Sequence, residues 1–224
     1  MKKLSELAWH KSQDVVHAIK NHPFNIEMAT GDLAIDKFAY YIEQDTLYLR
    51  DFARSLAMIA SRAPLEYMRE CLSFADNALI AEQEVVHSFF RKTFNSEILQ
   101  IMKGLTPATL SYTSYLLQVC SREPLEIAIA AVLPCFWVYR EIGLLIASKT
   151  KAQNPYSRWI DTYSGEEFAQ GTKKAIDIFD QVALKASAEI QDQMIDAFYK
   201  STVLEWHFWN DAYNKTTFDD FLNN

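Results

Sequence analysis

The sequence predicts an all-α fold. Three observations lead there: only five glycines and six prolines in 224 residues, a composition that is 50% hydrophobic, and cap-plus-proline signals that open apolar-periodic segments. So few turn formers cannot serve the many turns of an all-β fold, whereas long helices joined by short loops need few. A chain of this length buries most of the surface its unfolded form exposes, so it needs neither a metal nor a disulfide to fold.

The elements follow in order. A first helix is predicted over residues 4–20. Pro23 opens a short helix that Gly31 closes, with proline at the first turn and glycine past the end. A long helix follows over 35–61. Pro64 starts the next, which runs to about Phe94. Thr106-Pro107 supplies a cap and a first-turn proline for a helix ending at Cys120, and Pro124 begins another that ends near Lys149. After a loop at Asn154-Pro155, a short element leads to Ser164, where Ser164 and Glu167 have the spacing of a capping box for a helix to about Ser187. The last long helix covers about 190–214. No linker, repeat or low-complexity tract interrupts the chain, which reads as one domain over residues 1–224.

Charge and cysteine usage exclude several functions. Net charge is −7 and no predicted face carries a basic cluster, which argues against nucleic-acid binding by phosphate neutralisation. Cys71, Cys120 and Cys135 form an odd set without metal-type spacing, consistent with reduced thiols in a cytoplasmic protein. The opening MKKLSELAWHKSQD carries charge where a signal peptide needs an apolar core. The longest uncharged apolar run, 127–139, is too short to span a membrane and contains Pro134. A soluble protein without membrane or nucleic-acid partners is expected.

Chemistry is sought where an apolar stripe carries a group that resists burial. Phe38, Tyr41, Asp45, Tyr48 and Phe52 share one face of the long helix, with Asp45 in the middle. An ionised aspartate there is costly unless paired or hydrogen-bonded, so it is either a structural carboxylate or one that grips a ligand. Phe198, Thr202, Glu205, Phe208 and Ala212 repeat the pattern near the C-terminus. Burial would raise the pKa of Glu205 and suit it to proton transfer near neutrality, unless it too is structural. Cys135 follows Pro134, an interior proline that removes a helical hydrogen bond, frees the Ala130 carbonyl and should kink the helix. Tyr139 lies one turn further on the same face. Inert packing and a pocket thiol both remain open for Cys135. Tyr112 and Tyr163 carry little signal of their own, although Tyr163 precedes the predicted Ser164 cap.

A metal centre is the next class to consider. Helical di-iron sites need Glu-x-x-His on two helices, and the chain offers Glu84-Val85-Val86-His87 and the looser Asp14-Val15-Val16-His17. Haem would need an axial histidine, with His10 and His17 as candidates. His22, His87 and His207 read more simply as helix-terminal or surface residues. Neither a phosphate-binding glycine loop nor a Gly-x-Ser-x-Gly elbow is present.

Three segments then carry a resemblance. HPFNIEMATGDLAIDKFAYYIEQDTLYLRDFAR (residues 22–54), LPCFWVYREIG (133–143) and LEWHFWNDAY (204–213) are similar to the TenA, or thiaminase II, family, in the same order along nearly the whole chain. The resemblance implies the haem-oxygenase-like all-α fold, usually without haem, and a homotetramer. It implies hydrolysis of 4-amino-5-aminomethyl-2-methylpyrimidine to the hydroxymethylpyrimidine, and cleavage of thiamine, in thiamine salvage and without a cofactor. Carried over by position, Cys135 corresponds to the nucleophile, Glu205 to the acid/base and Tyr48 to the tyrosine that assists the cysteine. Asp45 corresponds to the carboxylate that grips the aminopyrimidine, and Tyr112, Tyr139 and Tyr163 to substrate-binding positions. One branch of the family lacks the cysteine; this sequence has it. Two other function classes compete: a non-enzymatic pyrimidine-binding or regulatory protein, and a metal-dependent oxidase on the same scaffold.

Overall fold

The computed structural model describes residues 3–80 and 104–222. Among them are ten α-helices and a C-terminal 3₁₀ turn, with no strand: α1 Leu4–Lys11, α2 Gln13–Lys20, α3 Pro23–Thr30, α4 Ile35–Arg62, α5 Leu65–Ile80, α6 Pro107–Arg122, α7 Leu125–Lys149, α8 Ser157–Ser164, α9 Glu166–Ala183 and α10 Ala188–Asn214. The expected all-α class is what the chain adopts.

Local chemistry explains most boundaries. At the start of α3 the His22 ring accepts from the Phe24 amide (3.2 Å), Pro23 fills the first turn, and Gly31 closes the helix at φ 81°. Thr106 caps α6 by accepting from the Thr109 amide at 3.1 Å, ahead of Pro107. Ser187 does the same for α10, accepting from Ile190 at 3.3 Å.

Two expectations need correction. The helix predicted over 4–20 is broken at Ser12, whose hydroxyl turns back to the Ala8 carbonyl at 3.0 Å while its backbone leaves helical geometry (ψ 2°). Short hydroxyl side chains compete with helical hydrogen bonds in this way. The Ser164/Glu167 capping box does not form either. Ser164 is the last residue of α8, and α9 is capped by Gly165, with no side-chain cap bond. Because Ser164 is still helical, the cap position falls one residue later than predicted, on Gly165, which has no side chain to fill it. Residues beyond Ile80 of the helix predicted to reach Phe94, and the Glu84–His87 pair, lie outside the described residues.

Helix α7 organises the core. It packs most extensively on α10, with α8 and α9 also against it, while α4 pairs with α5 and α6 and also meets α10. It runs unbroken through Pro134 for 25 residues, and by length and composition it is long and apolar enough to cross a membrane. Here most of that apolar stretch is buried inside the protein instead. Neighbouring hydroxyls serve its carbonyls near the proline: Ser201 donates to Ala131 at 2.6 Å and Thr172 to Phe136 at 3.4 Å.

Candidate active site

Both polar-bearing stripes point inwards. Asp45 is 3% exposed between buried Tyr41 and Tyr48, and Glu205 is 1% exposed between buried Thr202 and Phe208. Helices α4, α7 and α8 bring four of the seven candidate residues to one cavity of about 390 Å³: Asp45, Cys135, Tyr139 and Tyr163. Tyr48, Tyr112 and Glu205 are not in its lining. They form a buried layer next to it, in electrostatic reach of the Cys135 thiol.

In that layer the Tyr112 hydroxyl donates to Glu205 Oε1 at 2.9 Å. Tyr112 is held at the right place by the start of α6, where Gln44 accepts from the Thr106 amide (2.9 Å) and Asp211 from the Ala108 amide (2.9 Å). Burial pushes the Glu205 carboxyl up to about 8, with the charge of Asp45 adding to the rise and the Tyr112 bond opposing it. A carboxyl in that range is a proton donor and acceptor at neutral pH.

The three cysteines are not equivalent. Cys71 and Cys120 are buried, and burial pushes their thiols up to about 11 and about 12. Cys135 alone is part-exposed, and it faces the cavity. Its thiol is nevertheless held well above the usual cysteine range, first by burial and then by the negative charges of Glu205 and Asp45. The Tyr48 phenol, alongside the sulfur, works in the opposite direction. That phenol's oxygen is buried and has no hydrogen-bond partner of good geometry among the described residues. Its polar neighbours are the Cys135 sulfur and the Tyr112 hydroxyl, which leaves it placed to respond to a change of charge on the thiol.

Aromatic rings form the walls. Tyr139 and Tyr163 lie 5.0 Å apart between ring centres, and Phe52 and Phe136 add further lining. Burial keeps both phenols well above their ordinary pKa, so they act as neutral donors. Towards solvent the lining carries the exposed carboxylates of Asp161, Glu166 and Glu167, and no lysine or arginine among the described lining residues. A flat, apolar, positively charged molecule matches this surface.

Several contributors carry no signal in the sequence. Gln44 and Asp211 are ordinary polar residues until the fold brings them to the α6 N-terminus. Trp159, four residues before Tyr163, donates to the Tyr41 hydroxyl at 3.2 Å and packs on Tyr163 with ring centres 4.4 Å apart. Tyr163 itself sits in the last turn of α8, not before a helix start as the capping pattern suggested.

A protein-family model, TENA/THI-4/PQQC, matches residues 9–215. The chain belongs to this family. Among TenA-type relatives, the aminopyrimidine aminohydrolase of Bacillus subtilis is 33% identical over 201 residues, covering 89% of this chain and 85% of that protein. The aminopyrimidine aminohydrolase of Halalkalibacterium halodurans is 32% identical over 212 residues, covering 92% and 94%. The thiamine biosynthesis multifunctional protein ThiED of Corynebacterium glutamicum is 34% identical over 205 residues; the chain covers 26% of that longer protein. Solved TenA structures share the fold: the TenA homologue of P. horikoshii OT3 superposes with a TM-score of 0.84 at 24% identity, covering 95% of this chain and 99% of that one. A domain with a heme oxygenase-like fold from Shewanella denitrificans gives 0.73 at 16% identity, covering 96% and 94%. The TenA family and the haem-oxygenase-like fold expected from the sequence are therefore both found.

Proposed function

We propose that this chain is an aminopyrimidine aminohydrolase of the thiaminase II type, working in thiamine salvage through covalent catalysis by Cys135. One observation carries the reading: Cys135 and Asp45 share a cavity walled by flat aromatic rings, while Glu205, with its carboxyl near 8, lies next to the thiol. The names of the bacillary relatives point the same way.

Direct displacement of an amine at the exocyclic methylene of the pyrimidine is difficult, and two easier steps replace it. The Cys135 sulfur forms a bond to a ring carbon as its proton passes to a neighbouring base. The displaced electron pair moves through the ring, breaks the bond from methylene to nitrogen, and the amine leaves with a proton supplied by Glu205. Water then adds to the methylene and gives up a proton, the carbon–sulfur bond breaks, and the cysteine is restored. The net change is amine plus water to alcohol plus ammonia. Asp45 fixes the aminopyrimidine edge, Tyr112 sets the proton affinity of Glu205, and the unpartnered Tyr48 hydroxyl stabilises the sulfur while it is anionic. Tyr139 and Tyr163 stack on the ring and exclude water.

The carboxylates at the mouth suit a protonated aminomethyl group or the thiazolium of thiamine as leaving group. A cytoplasmic homotetramer, built from single-domain subunits and needing no cofactor, completes the proposal on the strength of the family resemblance. The test is chromatographic: purified, chelator-treated protein is incubated with 4-amino-5-aminomethyl-2-methylpyrimidine and with thiamine, and the hydroxymethylpyrimidine is measured. One feature favours a rival, a pyrimidine-binding protein without turnover: burial and the neighbouring carboxylates push the Cys135 thiol well above the ordinary cysteine range. That reading predicts binding that survives Cys135→Ser, and no product from the wild type.

A further inference from the structure

Helix α7 carries more of the site than the thiol and Tyr139. The next residue, Arg140, is part-buried, and its guanidinium donates to the carbonyl of Tyr163 (3.3 Å) and to that of Gly165 (3.0 Å). Among the described residues it has no carboxylate partner, and one nitrogen, Nη1, makes both bonds to backbone oxygens at the α8–α9 junction. That junction lacks a side-chain cap of its own. One turn further on α7, a Cβ at Gly143 would lie 2.7 Å from the Tyr163 carbonyl carbon and 2.8 Å from its Cβ, so the backbone of Tyr163 rests directly on the helix.

We propose that Arg140 is the positioning residue for Tyr163, setting that aromatic wall of the cavity, which Asp45 and Cys135 also line. The guanidinium fixes the carbonyls at the end of α8, Gly143 fixes the approach distance, and the ring of Tyr163 is then trapped between Tyr139 and Phe168 (centres 5.0 and 4.9 Å away). Both bonds leave from Nη1, and a charged donor binds a carbonyl more strongly than a neutral one, so a lysine amine could replace them in part. The consequence is specific: Arg140 governs how tightly a flat heterocycle is held and leaves the covalent steps on Cys135 alone. The choice of heterocycle rests on the aminopyrimidine reading above.

The experiment is a double-mutant cycle of Arg140→Met with Tyr163→Ala. Dissociation constants for 4-amino-5-aminomethyl-2-methylpyrimidine are measured by calorimetry in a Cys135→Ser background, and KM and kcat with the cysteine present. Arg140→Met should raise Kd and KM about tenfold, the scale of one lost hydrogen bond to a charged group, with kcat changed by less than about twofold. Arg140→Lys should recover part of the loss. In the Tyr163→Ala background, Arg140→Met should add less than about twofold, because the two act as one unit. Unchanged KM in folded Arg140→Met, a fall in kcat alone, or full additivity with Tyr163→Ala overturns the proposal. Should Arg140→Met fail to fold, Arg140→Lys carries the same cycle. A wild type that binds the pyrimidine without making product would defeat the catalytic reading, and the binding cycle would still decide the role of Arg140. No binding by the wild type would overturn both.

Discussion

The Tyr112 hydroxyl donates to Glu205 Oε1 at 2.9 Å inside a layer where both residues are fully buried. The bond stabilises the ionised carboxylate and so partly offsets the rise that burial imposes on Glu205. Tyr112→Phe removes that opposition. The pKa of Glu205 should then move further above 8, by about half to one unit, and the alkaline limb of kcat/KM should shift to higher pH by the same amount. A profile from pH 6 to 10 checks this; a limb that stays in place or moves down contradicts it.

Glu205 also makes stability depend on pH. Its carboxyl is raised from 4.5 to about 8 in the folded protein, so between those values the folded state holds a proton that the unfolded state has lost. Folding stability contributed by this group is intact below pH 4.5, declines as pH rises towards 8, and is flat above. Each tenfold change in proton affinity corresponds to about 1.4 kcal/mol, so the full loss is on the order of 5 kcal/mol. Glu205→Gln removes the titration, so its stability relative to wild type should rise between pH 5 and pH 8 in urea unfolding. An unchanged difference across that range would falsify the assignment.

Replacing Glu205 should also free the thiol. The carboxylate is the second cause, after burial, that holds Cys135 above its ordinary range. In Glu205→Gln, alkylation of Cys135 by iodoacetamide should begin at lower pH than in the wild type, even as turnover is lost. Mass spectrometry separates Cys135 from the buried Cys71 and Cys120. An unshifted or upward-shifted onset would mean that Glu205 does not act on the sulfur.

Gly143 gives a packing test. A methyl group there would press on the Tyr163 backbone at 2.7–2.8 Å, and backbone cannot rotate away. Gly143→Ala should cost about 1–3 kcal/mol, as overpacking does, and weaken pyrimidine binding with it. Denaturant midpoints and calorimetry read both effects; a variant of wild-type stability would show that α8 can move off α7.

What is legible in the sequence, and what is not, follows from range. The stripes through Asp45 and Glu205 are readable because helical periodicity alone assigns both residues to a buried face, where both lie. Helix starts with local chemistry, such as Thr106-Pro107, are equally legible. The Ser164/Glu167 box fails because the preceding helix runs on to Ser164, so that residue is still helical and the cap position of α9 falls on Gly165. Arg140, Gln44 and Asp211 are invisible for a different reason. Each acts on backbone groups at least 23 residues away in the chain, and no spacing rule covers such pairings. Tyr112 is singled out only through the family resemblance, and its bond to Glu205, 93 residues distant, supplies the physical reason for that position.

The central claim is that Cys135 performs the chemistry at this cavity. The most direct test compares wild type with Cys135→Ser for release of hydroxymethylpyrimidine from 4-amino-5-aminomethyl-2-methylpyrimidine, with binding of the same compound measured in parallel. Turnover should fall by about a thousandfold or more, on the order seen when a nucleophile is removed, while Kd changes by less than about threefold. Turnover that persists in Cys135→Ser, or a wild type that binds the pyrimidine and never releases product, would contradict the account.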